Sequence, residues 1–276
     1  MNDIKARIKS VSSTRQITKA MELVASSKLR RAKEKAESSR PFYELLGSTV
    51  NKLKACEEFS SSPFAQERED TKTLFIVIAG DRGLAGGYNS NIFKLTERLS
   101  LGAEALYLPI GKKSFEYLKN RKKELFSEDI RAISEFGVGA CLNLGKEISD
   151  GFISGKYGKV TLVFTKFVSM MTQLPVYEDL LPLTKEGDEE ELGDVLIEED
   201  VEEMLAKIVP EYIGGVLWSA VSEASASEQG ARRSAMNSAN KNAEEMIDTL
   251  MLKFNRARQA IITQEITEIV SGAEAL

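Results

Sequence analysis

The chain has 276 residues, 42% hydrophobic and 29% charged, with a formal net charge of −5 and only 6 prolines, enough for one large or two modest domains with a buried core. It contains no histidine, which removes the commonest general base and metal ligand and any Ser-His or Cys-His pair. The two cysteines, Cys56 and Cys141, lack metal-like or redox-like spacing and read as ordinary reduced thiols.

No apolar run reaches the roughly eighteen residues a membrane span needs, so no transmembrane segment is expected. The start, Met1-Asn2-Asp3-Ile4-Lys5, lacks the apolar stretch of a signal peptide. The net charge hides an asymmetry. Residues 1–35 hold ten Lys or Arg against Asp3, Glu22 and Glu34, whereas residues 186–203 hold eleven acids and no base. Such blocks mark partner surfaces or solvated segments rather than fold determinants.

Residues 3 to 55 read as helix. Apolar or small side chains recur at Ile4, Ile8, Val11, Ile17, Met21, Val24, Ala25, Leu29, Ala32 and Ala36, mostly three or four apart, with basic residues on the other faces. Pro41 is the one interruption and a place for a kink or local break. The polar stretch from Ser60 to Asp70 reads as a loop.

The texture changes at Thr73. Leu74 to Ala79 is a short apolar run ending in a glycine cluster, which predicts a buried strand. A helix is expected over 89–99, a strand at Ala105 to Leu108, a helix over 114–120, a helix near 139–153 and a strand over 160–167. This alternation predicts an α/β unit with a largely parallel sheet.

From about Val201 to Val270 only Pro210, Gly214, Gly215 and Gly230 interrupt a helical pattern, and residues 231–270 contain neither glycine nor proline. A continuous helix over those forty residues would be about 60 Å long. Its inner stripe reads Ala239, Ala243, Met246, Leu250, Phe254, Ala257 and Ile261. One such helix cannot bury its stripe alone, and antiparallel pairing with the N-terminal helix is the economical solution. The alternative is that each helix packs separately on the α/β unit.

Three segments are candidates for function. Gly80-Asp81-Arg82-Gly83-Leu84-Ala85-Gly86-Gly87-Tyr88-Asn89 follows a strand and precedes a helix, where a phosphate loop would sit. Its spacing fits neither G-x-G-x-x-G nor G-x-x-x-x-G-K-[ST], so a structural turn with exposed Asp81 and Arg82 is the better reading. The basic N-terminal helix has no aromatic before Phe42, which favours a solvated face or one meeting acidic protein surfaces over nucleic-acid binding. Near the C-terminus, Arg258, Gln259 and Gln264 stand beside an apolar stripe and could hydrogen-bond a protein partner.

Three segments together carry a family resemblance. Ile4-Lys5-Ala6-Arg7-Ile8 with Gln16-Ile17-Thr18-Lys19-Ala20-Met21-Glu22-Leu23-Val24-Ala25, the turn 80–89, and Leu252 to Val270 resemble, in order, the gamma subunits of F-type ATP synthases. The resemblance implies a long antiparallel coiled coil of N- and C-terminal helices with an inserted Rossmann-like α/β domain. The expected divisions are 1–58 as the N-terminal shaft helix, 73–200 as the α/β domain and 208–276 as the C-terminal shaft helix pairing with 1–58. It implies a non-catalytic central rotor stalk that couples ion flow, with the proton as default ion, to ATP synthesis or hydrolysis. The implied partners are the alpha and beta subunits of the catalytic head, the epsilon subunit and the membrane c-ring, at the cytoplasmic face of a bacterial plasma membrane. No cofactor is implied for the chain itself, ATP, ADP and Mg being bound by alpha and beta.

By the same resemblance Met21 and Arg232 fall at coupling positions, and Arg258, Gln259, Thr263 and Glu265 fall where the shaft meets beta. Asp81 and Arg82 fall in a segment that can face an acidic loop of beta. Ala85 stands where the family often has cysteine, and residues 190–230 hold no cysteine, so no thiol switch is implied. The bare patterns allow a coiled-coil adaptor with an α/β head equally well; the other rival, a nucleotide-dependent enzyme using the glycine turn, is disfavoured by the turn's spacing and the absence of histidine.

Overall fold

The computed structural model describes residues 1–66, 68, 71–184 and 200–274. A first helix, α1 (Asn2–Lys54), contains Pro41 and is unbroken by it. After a polar connection come β1 (Thr73–Ile78), α2 (Tyr88–Leu99), β2 (Ala105–Ile110), α3 (Lys112–Asn120), α4 (Val138–Ile153), β3 (Lys159–Phe167) and β4 (Gln173–Leu181). The last element, α5 (Val201–Glu274), is a single helix that includes Pro210. Of the acidic stretch 186–203, only residues 200–203 lie among the described residues. The chain divides into two compact units, Met1–Ser26 with Arg232–Leu276, and Ser27–Ala231.

The larger unit is a Rossmann-like α/β body. Its sheet has the order β2-β1-β3-β4, with β1 parallel to both β2 and β3 and β4 antiparallel to β3. β1 is apolar throughout because it is buried on both faces. Leu74, Ile76 and Ile78 face a core shared with Ile148 of α4 and Leu205, Val209 and Leu217 of α5, whereas Phe75, Val77 and Ala79 face Ile92 of α2 and Leu118 of α3.

β4 is the strand the periodicity does not predict. It carries Pro175, Glu178 and Asp179 in Gln-Leu-Pro-Val-Tyr-Glu-Asp-Leu-Leu, and its outward side chains are exposed. It is an edge strand, where proline and charge are tolerated. The opening half of α5 has an apolar texture for a related reason. By length and composition it contains a segment able to cross a membrane, yet more than half of that segment is buried inside the chain.

The smaller unit is an antiparallel helix pair. The α1 positions turned toward α5 are Ile4, Ile8, Val11, Arg15, Thr18, Glu22 and Ala25, alternating four and three apart. On α5 they are Arg232, Met236, Ala239, Ala243, Ile247, Leu250, Phe254 and Ala257, again in steps of three and four. This is the spacing of a coiled-coil seam. It corrects part of the expected stripes. Ile17 and Val24 are 61% and 55% exposed, and Met246 and Ile261 are 47% and 39% exposed. Ile17, Val24 and Met246 lie beside the seam, not in it, and Ile261 lies past the start of α1. The side chain of Ala36 lies outside those described.

Candidate functional site

The middle of the seam is polar. A guanidinium N–H of Arg15 donates to Glu244 at 3.1 Å. Thr18 Oγ1 donates to Oδ1 of Asn240, whose Nδ2 donates to Glu22 Oε2 at 3.0 Å. Lys19 Nζ also reaches Glu22, at 3.0 Å, and the Glu22 side chain is only 13% exposed. The hydrogen bond from Lys19, with help from its charge, from Asn240 and from Arg233, holds the Glu22 carboxyl below the usual carboxylate range although burial opposes this.

Met21 is half-buried next to Glu22 in sequence, and Arg232 is buried at 8% exposure. Arg15, Thr18, Glu22, Asn240 and Glu244 were not among the expected contact residues. The signal for them is the spacing itself: extending Ile4, Ile8, Val11 by alternate steps of four and three lands on residues 15, 18 and 22. Ranking positions by apolarity passes over them.

Beyond the seam α5 continues alone. Arg15 faces Glu244 and Thr18 faces Asn240, so with equal rise on both helices Met1 lies opposite about residue 258. The remaining residues to 274 overhang by roughly 24 Å. Every described side chain from 258 to 271 is exposed. Among them Ile262, Ile266 and Ile269 are 46%, 56% and 72% exposed. Arg258, Gln259, Thr263 and Glu265 all stand on this overhang, so four of the expected contact residues are brought onto one unpaired segment. The other polar groups there bond within the helix: Gln264 Nε2 donates to Glu268 Oε1 at 2.9 Å, and Thr267 Oγ1 to the Thr263 carbonyl at 2.8 Å.

The glycine turn belongs to the larger unit. The Gly80 N–H donates to Asn89 Oδ1 at 2.9 Å, and Asn89 Nδ2 donates back to the Arg82 carbonyl at 3.4 Å. The Tyr88 N–H goes to the Ala85 carbonyl at 3.2 Å, and the Tyr88 hydroxyl donates to the Ala224 carbonyl at 3.0 Å. Gly86 sits at φ 59, where a side chain is disfavoured, and Leu84 takes φ 61 with 65% exposure. The turn therefore closes on its own side chains, with two of the amides that would face a phosphate already engaged.

Asp81 and Arg82 differ in kind. The Asp81 carboxylate accepts the N–H groups of Lys112 and Ile133, each at 3.1 Å, and of Ser134 at 3.4 Å. It ties three loops of its own chain together. Arg82 is exposed. Among the described residues no group of three or more His, Cys, Asp or Glu is placed to hold a metal ion.

A family model described as ATP synthase matches residues 1–276. The ATP synthase gamma chain of Ruminococcus albus is 44% identical over 99% of this chain and 97% of that one. That of Geobacter metallireducens is 41% identical over 100% and 98%. An ATP synthase gamma chain described as sodium ion specific, from Acetobacterium woodii, is 41% identical over 100% and 98%. Among solved structures, a chain of the Tetrahymena thermophila mitochondrial ATP synthase central stalk and c-ring is similar at TM-score 0.61 and 25% identity, over 81% of this chain and 99% of that one. A chain of the Euglena gracilis mitochondrial ATP synthase rotor has TM-score 0.63 and 14% identity, over 95% and 98%, and shows likeness of fold.

Proposed function

The chain belongs to the ATP synthase gamma-chain family, the central-stalk rotor of the F-type enzyme, and from that premise we propose how its own residues serve the role. The helix pair is the shaft, inserted in a three-fold ring of alpha and beta subunits. The α/β body is the foot, set beside epsilon and the membrane c-ring at the cytoplasmic face of a bacterial plasma membrane. The chain itself is non-catalytic: ATP, ADP and Mg are held by alpha and beta.

The observation that carries this reading is the overhang of α5 past the start of α1. A helix end that leaves Ile262, Ile266 and Ile269 in solvent is consistent with a sleeve around it. Arg258, Gln259, Thr263 and Glu265 supply directional contacts to beta there. Polar contacts interleaved with isolated apolar side chains bind shallowly at any one angle, which suits a surface that must slide. An asymmetric shaft biases the three catalytic sites only through the difference in contact energy it offers each of them. Met21 and Arg232 are proposed as coupling positions, and Arg82 as the residue of the glycine turn that meets an acidic loop of beta.

Co-expression with the cognate alpha and beta subunits tests the assignment. The expected product is a three-to-three-to-one assembly, and in membranes the chain is required for ATP-driven ion pumping. Pumping by membranes that lack the chain would contradict it. Met21→Lys is expected to lower pumping more than hydrolysis, because an added cation grips partner carboxylates; equal losses would remove Met21 from the coupling surface. Calorimetry of the purified chain with ATP is expected to give no micromolar binding, and such binding would revive the nucleotide-enzyme reading. The coupling ion is taken as the proton, and pumping assayed with and without sodium checks that choice, since one relative of similar identity is described as sodium ion specific.

A further inference from the structure

We propose that Leu84, at the tip of the glycine turn, is an apolar docking residue that seats against an apolar side chain of the same acidic beta loop that Arg82 meets. The proposal rests on the reading of Arg82 given above. Leu84 takes φ 61 and is 65% exposed. A single exposed leucine needs no explanation by itself. Its left-handed backbone does, because that conformation crowds the Cβ of any L residue against the following carbonyl, whereas glycine adopts it freely. Leu84 therefore bears a conformational cost without burying its side chain.

The turn is fixed on both sides of this residue. Before it, the Asp81 carboxylate holds three backbone N–H groups and the Arg82 carbonyl accepts from Asn89. After it, Ala85 is 2% exposed, its carbonyl accepts the Tyr88 N–H, and the Tyr88 hydroxyl is tied to the Ala224 carbonyl. Among the described residues, none of the hydrogen bonds that fix the turn belongs to Leu84. Lys122, at φ 54, shows the contrast. It ends α3: its N–H donates to the Lys119 carbonyl at 3.0 Å, and the Lys123 N–H donates to the Leu118 carbonyl at 3.1 Å. Helix termination accounts for its backbone. Leu84 closes no helix, and a chain that had only to turn here would do so at lower cost with glycine, as it does at Gly86, φ 59. Strained residues persist where the surroundings over-determine them, and they cluster where something is bound. An apolar side chain already fixed in place also loses little freedom on docking. Two residues from the exposed Arg82, it fits a partner loop that offers a carboxylate and an apolar side chain together.

Stability and contact are tested separately. In the purified full chain, Leu84→Gly should raise the unfolding midpoint by about 2 °C, because it removes the backbone cost and little buried area. A lowered midpoint would mean that Leu84 serves the fold, and it overturns the proposal. In the assembled enzyme, a diazirine analogue of leucine at position 84 should crosslink to the acidic segment of beta. The same probe at position 82 separates this proposal from the reading beneath it. Crosslinks to beta from position 82 alone overturn the role of Leu84 and leave that of Arg82 standing, whereas crosslinks from neither position overturn both. A crosslink from position 84 to any other subunit overturns the proposed occupant. In membranes, Leu84→Ala and Leu84→Gly should both lower ATP-driven pumping relative to hydrolysis, and Leu84→Met, which keeps an apolar side chain of similar reach, should not. An unchanged ratio in all three variants overturns the proposal.

Discussion

Gly145 of α4 and Gly214 of α5 meet backbone to backbone: a Cβ on Gly145 would stand 2.3 Å from the Pro210 carbonyl oxygen and 2.7 Å from the Gly214 nitrogen. The converse holds for Gly214, whose added Cβ would lie 2.8 Å from Leu142 Cα and 3.0 Å from the Cys141 carbonyl oxygen. Neither neighbour is a side chain that can swing aside. The crossing needs both glycines, and it holds α4 and α5 together on one face of the sheet. Gly145→Ala is expected to destabilise the chain by about 2 kcal/mol or more in urea unfolding. Gly139→Ala, on the same helix with nothing within 4 Å, should instead gain roughly 0.5 kcal/mol. Equal effects would mean that the close approach is not what matters.

Asp81 gives a second expectation. Its carboxylate accepts three backbone N–H groups from the segments that begin α3 and precede α4. Asp81→Ala should cost about 1–3 kcal/mol and speed amide exchange at Lys112 and Ile133. Asp81→Asn, which retains one acceptor oxygen, should lose less. Unchanged exchange at both amides would show that the carboxylate does not anchor these loops.

The helix pair should weaken in acid. Lys19, followed by the smaller contributions of Asn240 and Arg233, depresses the Glu22 carboxyl below its ordinary value of 4.5. A depressed carboxyl stabilises the fold at pH above its unfolded value, and that contribution is lost as pH falls through the folded value. Thermal melts from neutral pH to below pH 4.5 should fall more steeply for the parent than for Glu22→Gln. Parallel curves would contradict the sign or the source of the shift.

The two thiols should differ sharply. Cys141 is fully buried, and burial pushes its thiol up to about 12, against a smaller opposing pull from Lys35. Cys56 is only half-buried. A thiol reagent at neutral pH should modify one cysteine in the native chain and two in denaturant. Rapid native modification of both would mean that α4 opens readily.

Much of this molecule is readable from sequence because it rests on long repeats of one signal. The terminal helices, the strands at 74–79 and 160–167 and the turn at 80–89 all follow from apolar period and glycine placement. What sequence reading misses has a common cause, the use of apolarity as a stand-in for burial. Ile17 and Val24 are apolar yet exposed, whereas Thr18 and Glu22 sit in the seam because each has a partner across it. β4 escapes notice because an edge strand can carry Pro175 and Glu178. Asp81 looks like an exposed turn residue until the chain folds and brings Lys112, Ile133 and Ser134 to it. Contacts that are distant in sequence leave no local period to read.

On the reading proposed above, this chain turns inside a ring of catalytic subunits. The direct test is to fix that ring to a surface through beta, attach a bead to the α/β body through a labelled Cys56, and watch the bead during ATP hydrolysis. The expected result is rotation in one direction with three pauses per turn, one for each catalytic site. Sustained hydrolysis by an assembly that retains the chain, with the bead stationary, would contradict it.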